Sequence, residues 1–236
     1  MSIETISYSE VGGRKENEDS VGILACANDI FAGCVADGVG GSNCGKLASR
    51  TAVNYFLNKV KSFEDDLSYS MIETHKLLQS LQQKENNCKD MATTFTGILV
   101  NDNFLKGVHL GDTRCHILRG NGIKQLTQDH TEYNRLINEE SFIKQNSKFI
   151  YNRNVLESAL GIKNRSILIQ EFKFDLKKKD RILITSDGVH DLVSKIMLRD
   201  ISKSSHNVTE FKNNVLDKLK TMELTDNVSF VLFEVN

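Results

Sequence analysis

The sequence predicts an α+β fold in which mainly antiparallel sheets are covered by segregated helices. Three observations carry this. Successive β-type runs are joined by turns too short to bring the chain back in parallel. Stretches with a helical period fall between blocks of strands instead of alternating with single strands. The order is a β-run, two helices, a second β-run, helices and a last strand, which is not that of a doubly wound nucleotide fold. At 236 residues a single domain spanning 1–236 is expected, and no internal repeat is visible.

Residues 3–11 alternate well enough for a strand, which Gly12-Gly13 break. "SVGILACAN" and "IFAGCVA" read as two strands turning at Asn28-Asp29. From Ser42 the period lengthens: Leu47, Thr51, Ala52, Tyr55, Phe56 and Val60 recur every three to four residues, a helix capped by Ser42 or Asn43. A second helix covers 68–84. "TTFTGILVND", "FLKGVHLGD", "RCHILRG" and "GIKQLTQD" are four short strands separated by Asn-Asp, Gly-Asp and Gly-Asn-Gly turns, which predicts an antiparallel meander. Residues 131–156 are polar with weak periodicity and read as a mobile helix-loop excursion. "SILIQEFKF" and "RILITSD" are strands on either side of the charged turn "DLKKKD". Val208, Phe211, Val215, Leu219 and Met222 share a helical face, and "NVSFVLFEV" closes as a strand.

With 30 basic and 31 acidic residues the net charge is -1, so no nucleic-acid or membrane partner is expected. The N-terminus lacks an apolar core of signal length and no run approaches a membrane span, which points to the cytoplasm. The five cysteines are odd in number and form no CxxC pair, so reduced buried thiols are expected, not a zinc site or disulfide framework.

Acids gather at strand ends and turns: Glu18, Asp19, Asp37, Asp112, Asp129, Asp187, Asp191 and Asp226. One Asp-Gly pair alone is more often just a turn. Several at particular strand ends suggest a shared site. Crowded carboxylates repel, and a divalent cation is their natural neutraliser. An all-oxygen donor set favours Mg²⁺ or Mn²⁺ over zinc. Glycine after Asp37 and after Asp187 lets the backbone turn tightly and a carbonyl approach an ion.

"RKENED" (Arg14 to Asp19), "VADGVGG", "HLGDTRCHILRGNGIKQLTQDHT", "ESALG", "TSDGVHDLVS" and "TDNVSFVLFEV" together resemble the ordered motif set of the PP2C-type (PPM) metal-dependent protein phosphatases. The likeness runs from residue 4 to the C-terminus, and the glycine pair after "DGV" resembles bacterial members. The resemblance implies a four-layer α-β-β-α sandwich, two mainly antiparallel sheets flanked by helices with metals in a cleft at one end. It implies hydrolysis of phosphoserine and phosphothreonine monoesters by a water bridging two divalent ions, Mn²⁺ or Mg²⁺. By the same resemblance Asp37 bridges the two ions, the Gly38 carbonyl binds one, and Asp187 and Asp226 hold the second. Glu18, Asp19 and Asn227 order the surrounding water. Asp129 and Asp191, helped by Asp187, hold a third, weaker ion. Arg14 binds the substrate phosphate, and residues 131–156 form a flap beside the cleft. The implied partners are phosphorylated proteins, substrates of a cognate Ser/Thr kinase, met by a monomer. Elementary chemistry agrees: a guanidinium offers a fork to a phosphate dianion, and a water shared by two cations loses its proton near neutral pH.

Two departures stand out. Eukaryotic members commonly carry His after the first Asp-Gly; here Val39 cannot donate, and a water on the third ion is the expected acid. Lys179 stands where the family often has Gly, with little consequence expected. "GGSNCGKL" nearly matches a phosphate-binding loop, but Leu47 replaces its hydroxyl residue and no parallel unit surrounds it. Asp187 as a covalent phosphoryl acceptor would need a parallel sheet. An inactive relative that only binds phosphoproteins is the rival from another class, and the intact acid set argues against it. Asp112 and Arg114 read as a local ion pair or turn. His130 reads as either a partner of Asp129 or a structural histidine, His190 as a surface residue, and His75 and His109 as structural. Cys34 and Cys44 read as core, and Lys177 to Lys179 as a solvated turn.

Overall fold

A computed structural model describes residues 2–39, 44–138, 155–163 and 166–236. The expected cap at Ser42 or Asn43, the pair Gly40-Gly41 and most of the 131–156 excursion lie outside the described residues.

The strands are β1 (Ile3–Glu10), β2 (Ser20–Ala25), β3 (Phe31–Ala36), β4 (Gly38–Val39), β5 (Ala92–Thr93), β6 (Phe95–Val100), β7 (Phe104–Leu110), β8 (Arg114–Arg119), β9 (Gly122–Gln125), β10 (Gln170–Asp175), β11 (Arg181–Thr185) and β12 (Val228–Val235). The helices are α1 (Cys44–Lys59), α2 (Leu67–Lys84), α3 (Glu132–Asn138), α4 (Asp187–His190), α5 (Lys195–Ser204) and α6 (Val208–Leu219). One five-stranded sheet runs β1-β12-β11-β8-β9 and the other β10-β7-β6-β3-β2, with β4-β5 as a small ribbon. Every ladder is antiparallel.

Strand alternation builds the layers. In β3, Val35 faces the other sheet: with Ile98 of β6 it forms the inner core against Ile117, Ile184, Val231 and Phe233. Cys34 and Ala36 point outward onto Ala48, Ala52 and Phe56 of α1 and Met71 and Leu78 of α2. On the far side, Leu183, Phe230 and Leu232 meet Leu198 of α5 and Phe211 and Val215 of α6. The result is the expected α-β-β-α sandwich. Among the described residues no helix is long and apolar enough to cross a membrane.

The structure corrects several expectations. The four strands from Phe95 to Gln125 are not one meander: β6 and β7 belong to one sheet, β8 and β9 to the other. The chain changes sheets at Gly111-Asp112-Thr113, with Gly111 at φ +98°, a backbone that side chains with a Cβ rarely adopt. Helix α5, capped by the Ser194 hydroxyl accepting from the Met197 amide, was not foreseen. Cys44 and Cys88 are joined as a disulfide across 44 residues, with Cα atoms 5.3 Å apart, whereas Cys26, Cys34 and Cys115 are free thiols. Their spacing gives no pairing signal; the fold brings α1 against the loop after α2. Lys179 is at φ +70°, so its place in the turn is strained for a residue with a Cβ, which explains the family's glycine. Its ammonium bonds the Asn236 side chain at 2.6 Å and lies 3.3 Å from Glu234.

Candidate active site

Antiparallel register delivers five chain segments to one end of the sandwich. Glu10 ends β1 opposite Val228, the start of β12. Thr185 ends β11 between Phe230 and Arg114, the start of β8. In the other sheet Ser20 opens β2 opposite Ala36, the end of β3, and Phe95 opens β6 opposite Leu110, the end of β7. The connections that leave these ends carry Arg14, Glu18 and Asp19; Asp37; Asp112; Asp187 and Asp191; and Asp226 with Asn227.

Asn227 ties these connections together. Its carboxamide accepts from the Glu18 amide at 2.9 Å and donates to the Val11 and Glu16 carbonyls, both at 2.8 Å. The Ser186 hydroxyl donates to Asp19 Oδ2 at 2.8 Å, and the Asp37 carbonyl receives the Thr94 amide at 2.9 Å. Two glycines permit the close packing. A Cβ on Gly38 would lie 2.2 Å from the Gly45 carbonyl oxygen, and one on Gly188 would lie 1.9 Å from that of Asn227.

The electrostatics are those of an anion cluster out of full contact with water. Burial pushes Asp37 well above the usual carboxylate range, and the charges of Asp19, Asp187, Asp112 and Asp226 push it further. Burial likewise raises Asp19 to about 7, against hydrogen bonds from Ser229 and Ser186. Burial, Asp187 and Asp129 lift Asp112 to about 7. Burial, Asp226 and Asp191 lift Asp187 to about 6. Asp37 and Asp187 are close enough to share a hydrogen bond. The other oxygen, Asp187 Oδ1, is buried with no hydrogen-bond partner among the described residues. Among the described residues no three His, Cys, Asp or Glu side chains close into a ready-made metal cage. Oxygen-only donors, mutual repulsion and a buried oxygen lacking a partner nevertheless fit a hard divalent cation.

Most sequence-predicted residues meet here, with differences. Arg14 lies exposed at the rim and forks onto Asp226, Nε to Oδ1 at 2.9 Å and Nη2 to Oδ2 at 2.6 Å. Val39 is exposed beside Gly38. Asp191 and Asp187 line a cleft of about 360 Å³ together with Asp112, Arg114 and Asp129. Arg114 does not pair with Asp112 as expected; it forks onto Asp129 at 2.6 to 3.1 Å. Asp112, read from sequence as a turn residue, faces Asp187 and Asp37 instead. The grouping of Asp112 with the other strand-end acids is the reading the structure supports, not the local pair with Arg114. His190 is not on the surface: it is buried, its Nδ1 2.9 Å from the Thr185 hydroxyl. His109 is buried and structural, between the Thr96 hydroxyl and the Gln128 carbonyl.

A sequence profile of protein phosphatase 2C matches residues 9–224. The chain belongs to the protein phosphatase 2C family. It is therefore an enzyme of that family, a protein phosphatase. The serine/threonine phosphatase stp of Listeria welshimeri is 26% identical over 232 residues, covering 94% of this chain and 92% of the relative. A putative protein phosphatase of Mycoplasma genitalium is 24% identical over 237 residues, covering 93% and 90%. Among solved structures, Stp1 from Staphylococcus aureus superposes with a TM-score of 0.88 at 22% identity, covering 100% of this chain and 96% of that one. The Mycobacterium tuberculosis PstP/Ppp phosphatase superposes at 0.85 with 24% identity and full coverage of both. At these identities the superpositions establish the fold.

Proposed function

We propose that this protein phosphatase hydrolyses phosphoserine and phosphothreonine monoesters of proteins at the carboxylate cleft, using divalent cations held there. The observation that carries the reading is the convergence of Asp37, Asp112, Asp187 and Asp226 at one end of the sandwich, with Asp187 Oδ1 buried and lacking a partner among the described residues. The relatives named as serine/threonine phosphatases support the substrate class.

Asp37, the Gly38 carbonyl, Asp187 and Asp226 are the proposed ligands of two Mn²⁺ or Mg²⁺ ions. When bound, such ions neutralise the phosphate and acidify water, both for attack and for protonating the leaving oxygen that Val39 cannot serve. For a third, weaker ion, Asp112 with Asp187 and Asp191 is a better donor set than one including Asp129, whose oxygens already receive Arg114 and Gln125. Glu18, Asp19 and Asn227 hold the loops that carry these ligands. Arg14, 59% exposed at the rim, can release Asp226 to a cation and turn its fork to the phosphate, whereas the largely buried Arg114–Asp129 fork cannot open in this way. The substrates are phosphoproteins of an opposing Ser/Thr kinase, met by a cytoplasmic monomer.

The test is release of phosphate from a phosphothreonine peptide by chelator-treated protein, before and after Mn²⁺. Activity restored by Mn²⁺ supports the reading. Peptide binding without turnover at any metal concentration would instead favour a phosphoprotein-binding role.

A further inference from the structure

We infer that Arg114 and Asp129 form a positioning pair that fixes Asp112 through the crossover Gly111-Asp112-Thr113, and that Asp129 acts through Arg114 rather than on a cation. This rests on the proposed role of Asp112 as a cation ligand.

The fork is nearly saturated. Arg114 Nε reaches Asp129 Oδ1 at 3.1 Å and Oδ2 at 3.0 Å, and Nη2 reaches Oδ2 at 2.6 Å. Gln125 Nε2 adds a bond to Oδ1 at 3.0 Å. Asp129 is only 8% exposed, so its charge is spent on a neighbour that is itself largely buried. A carboxylate in that state is a poor donor to a mobile cation and a strong anchor for a guanidinium.

The anchor is needed where it stands. Ladder pairing between β8 and β9 ends at His116 opposite Gln125. Beyond it, the Leu126 amide reaches the Cys115 carbonyl at 2.8 Å and the Cys115 amide reaches the Thr127 hydroxyl at 3.1 Å. Arg114 is the next residue, and its fork continues the attachment where backbone pairing has run out. Two residues further lies Asp112. The same segment grips the crossover from its other side: the His130 amide donates to the Gly111 carbonyl at 2.6 Å and the Gly111 amide to His130 Nδ1 at 3.4 Å. The Thr113 hydroxyl is bonded to that of Thr96 at 2.7 Å. A Cβ on Gly111, at φ +98°, would lie 2.6 Å from the Thr94 Cβ, so the crossover passes Thr94 at a distance only glycine allows. The backbone of Asp112 is thus bracketed by two contacts to residues 129–130, and Arg114 also adds positive charge beside Asp112 and Asp191.

The experiment is a double-mutant cycle on Arg114→Ala and Asp129→Ala, with Asp112→Asn as reference, read by calorimetric Mn²⁺ titration. Residues that orient metal ligands typically contribute 10–100-fold to affinity. Each single variant should weaken the weakest Mn²⁺ binding step about tenfold or more, and the double variant should be no worse than either single. If Asp129 were itself a ligand, Arg114→Ala would free it and leave binding unchanged or tighter, which overturns the proposal. Additive losses would overturn it as well. Asp129→Asn and Arg114→Gln, which keep a polar side chain but lose the ionic fork, give the same cycle if the alanine variants do not fold. In the chelated protein, faster amide exchange at 111–113 in both single variants supports the brace directly; unchanged exchange refutes it. If Asp112→Asn alone leaves all Mn²⁺ binding intact while exchange still responds to the pair, the ligand role of Asp112 fails and the brace survives only as a structural element.

Discussion

Replacing the central carboxylate should stabilise the metal-free protein while abolishing its activity. Asp37 stands among Asp19, Asp187, Asp112 and Asp226, and its carboxyl is held well above the usual range first by burial and then by those charges. Two unit charges about 5 Å apart repel by roughly 3 kcal/mol at an effective dielectric constant of about 20. Because Asp37 is only half-buried, about 2 kcal/mol is the expected relief in Asp37→Asn. The sign depends on pH. A carboxyl whose folded pKa exceeds its unfolded one contributes stability that is fully present below the unfolded value near 4 and is lost as pH rises through the folded value. For Asp187, at about 6, and Asp112 and Asp19, at about 7, that loss falls between about pH 4 and 8, and burial beside these charges holds the loss from Asp37 to the upper end of the range or above it. At pH 5 the cluster is mostly protonated and the variant gains little. The gain grows as pH rises and Asp37 ionises, toward about 2 kcal/mol, or about 4 °C in Tm for a chain of this size. The buried His109 and His116 titrate in both proteins and cancel at each pH. The assay is thermal unfolding of chelated wild type and variant at pH 5 and pH 8, repeated with Mn²⁺, which should raise the wild type far more than the variant. A variant less stable than wild type at pH 8, or an equal gap at both pH values, would refute the reasoning.

Arg14→Ala should lower kcat/KM for phosphopeptides at least tenfold with Mn²⁺ affinity little changed; an unchanged kcat/KM places Arg14 outside phosphate recognition. Cys88→Ser, or a reductant, should lower stability by up to about 4 kcal/mol, the loop-closure value for a 44-residue separation, measured by urea unfolding with and without dithiothreitol. Coincident unfolding curves would show that the bond constrains nothing. Lys179→Gly should raise stability by about 0.5 kcal/mol, since relief at φ +70° exceeds the worth of an exposed ion pair, and Glu234 keeps Arg181 at 2.7 Å. A lower Tm would contradict this.

Much of the fold was legible because alternation and helical period are local signals. The inward Val35 and outward Cys34 follow from period two alone, and the Asn28-Asp29 turn, with φ +58° and +54°, follows from residue type. The sheet change at Gly111-Asp112-Thr113 was not legible. A Gly-Asp-Thr stretch between two apolar runs reads as a hairpin turn, and only packing of one sheet on the other decides that β7 and β8 part. That one misreading left Asp112, although counted among the strand-end acids, read as a partner of Arg114 or a turn residue, because a residue in a hairpin turn has no reason to face Asp187. The same limit explains Arg114, whose partner lies 15 residues away, past the end of β9. Nor could the sequence show that His190, in a one-turn helix, is buried beside Thr185, or that α1 meets the loop carrying Cys88.

The most direct test of the account combines metal stoichiometry with turnover on one sample. Chelated protein titrated with Mn²⁺ should show no hydrolysis of a phosphothreonine peptide until about two ions are bound per chain, and Asp37→Asn should show neither the tight binding nor the turnover. Full peptide hydrolysis by rigorously metal-free protein, or undiminished turnover in a folded Asp37→Asn variant, would contradict it.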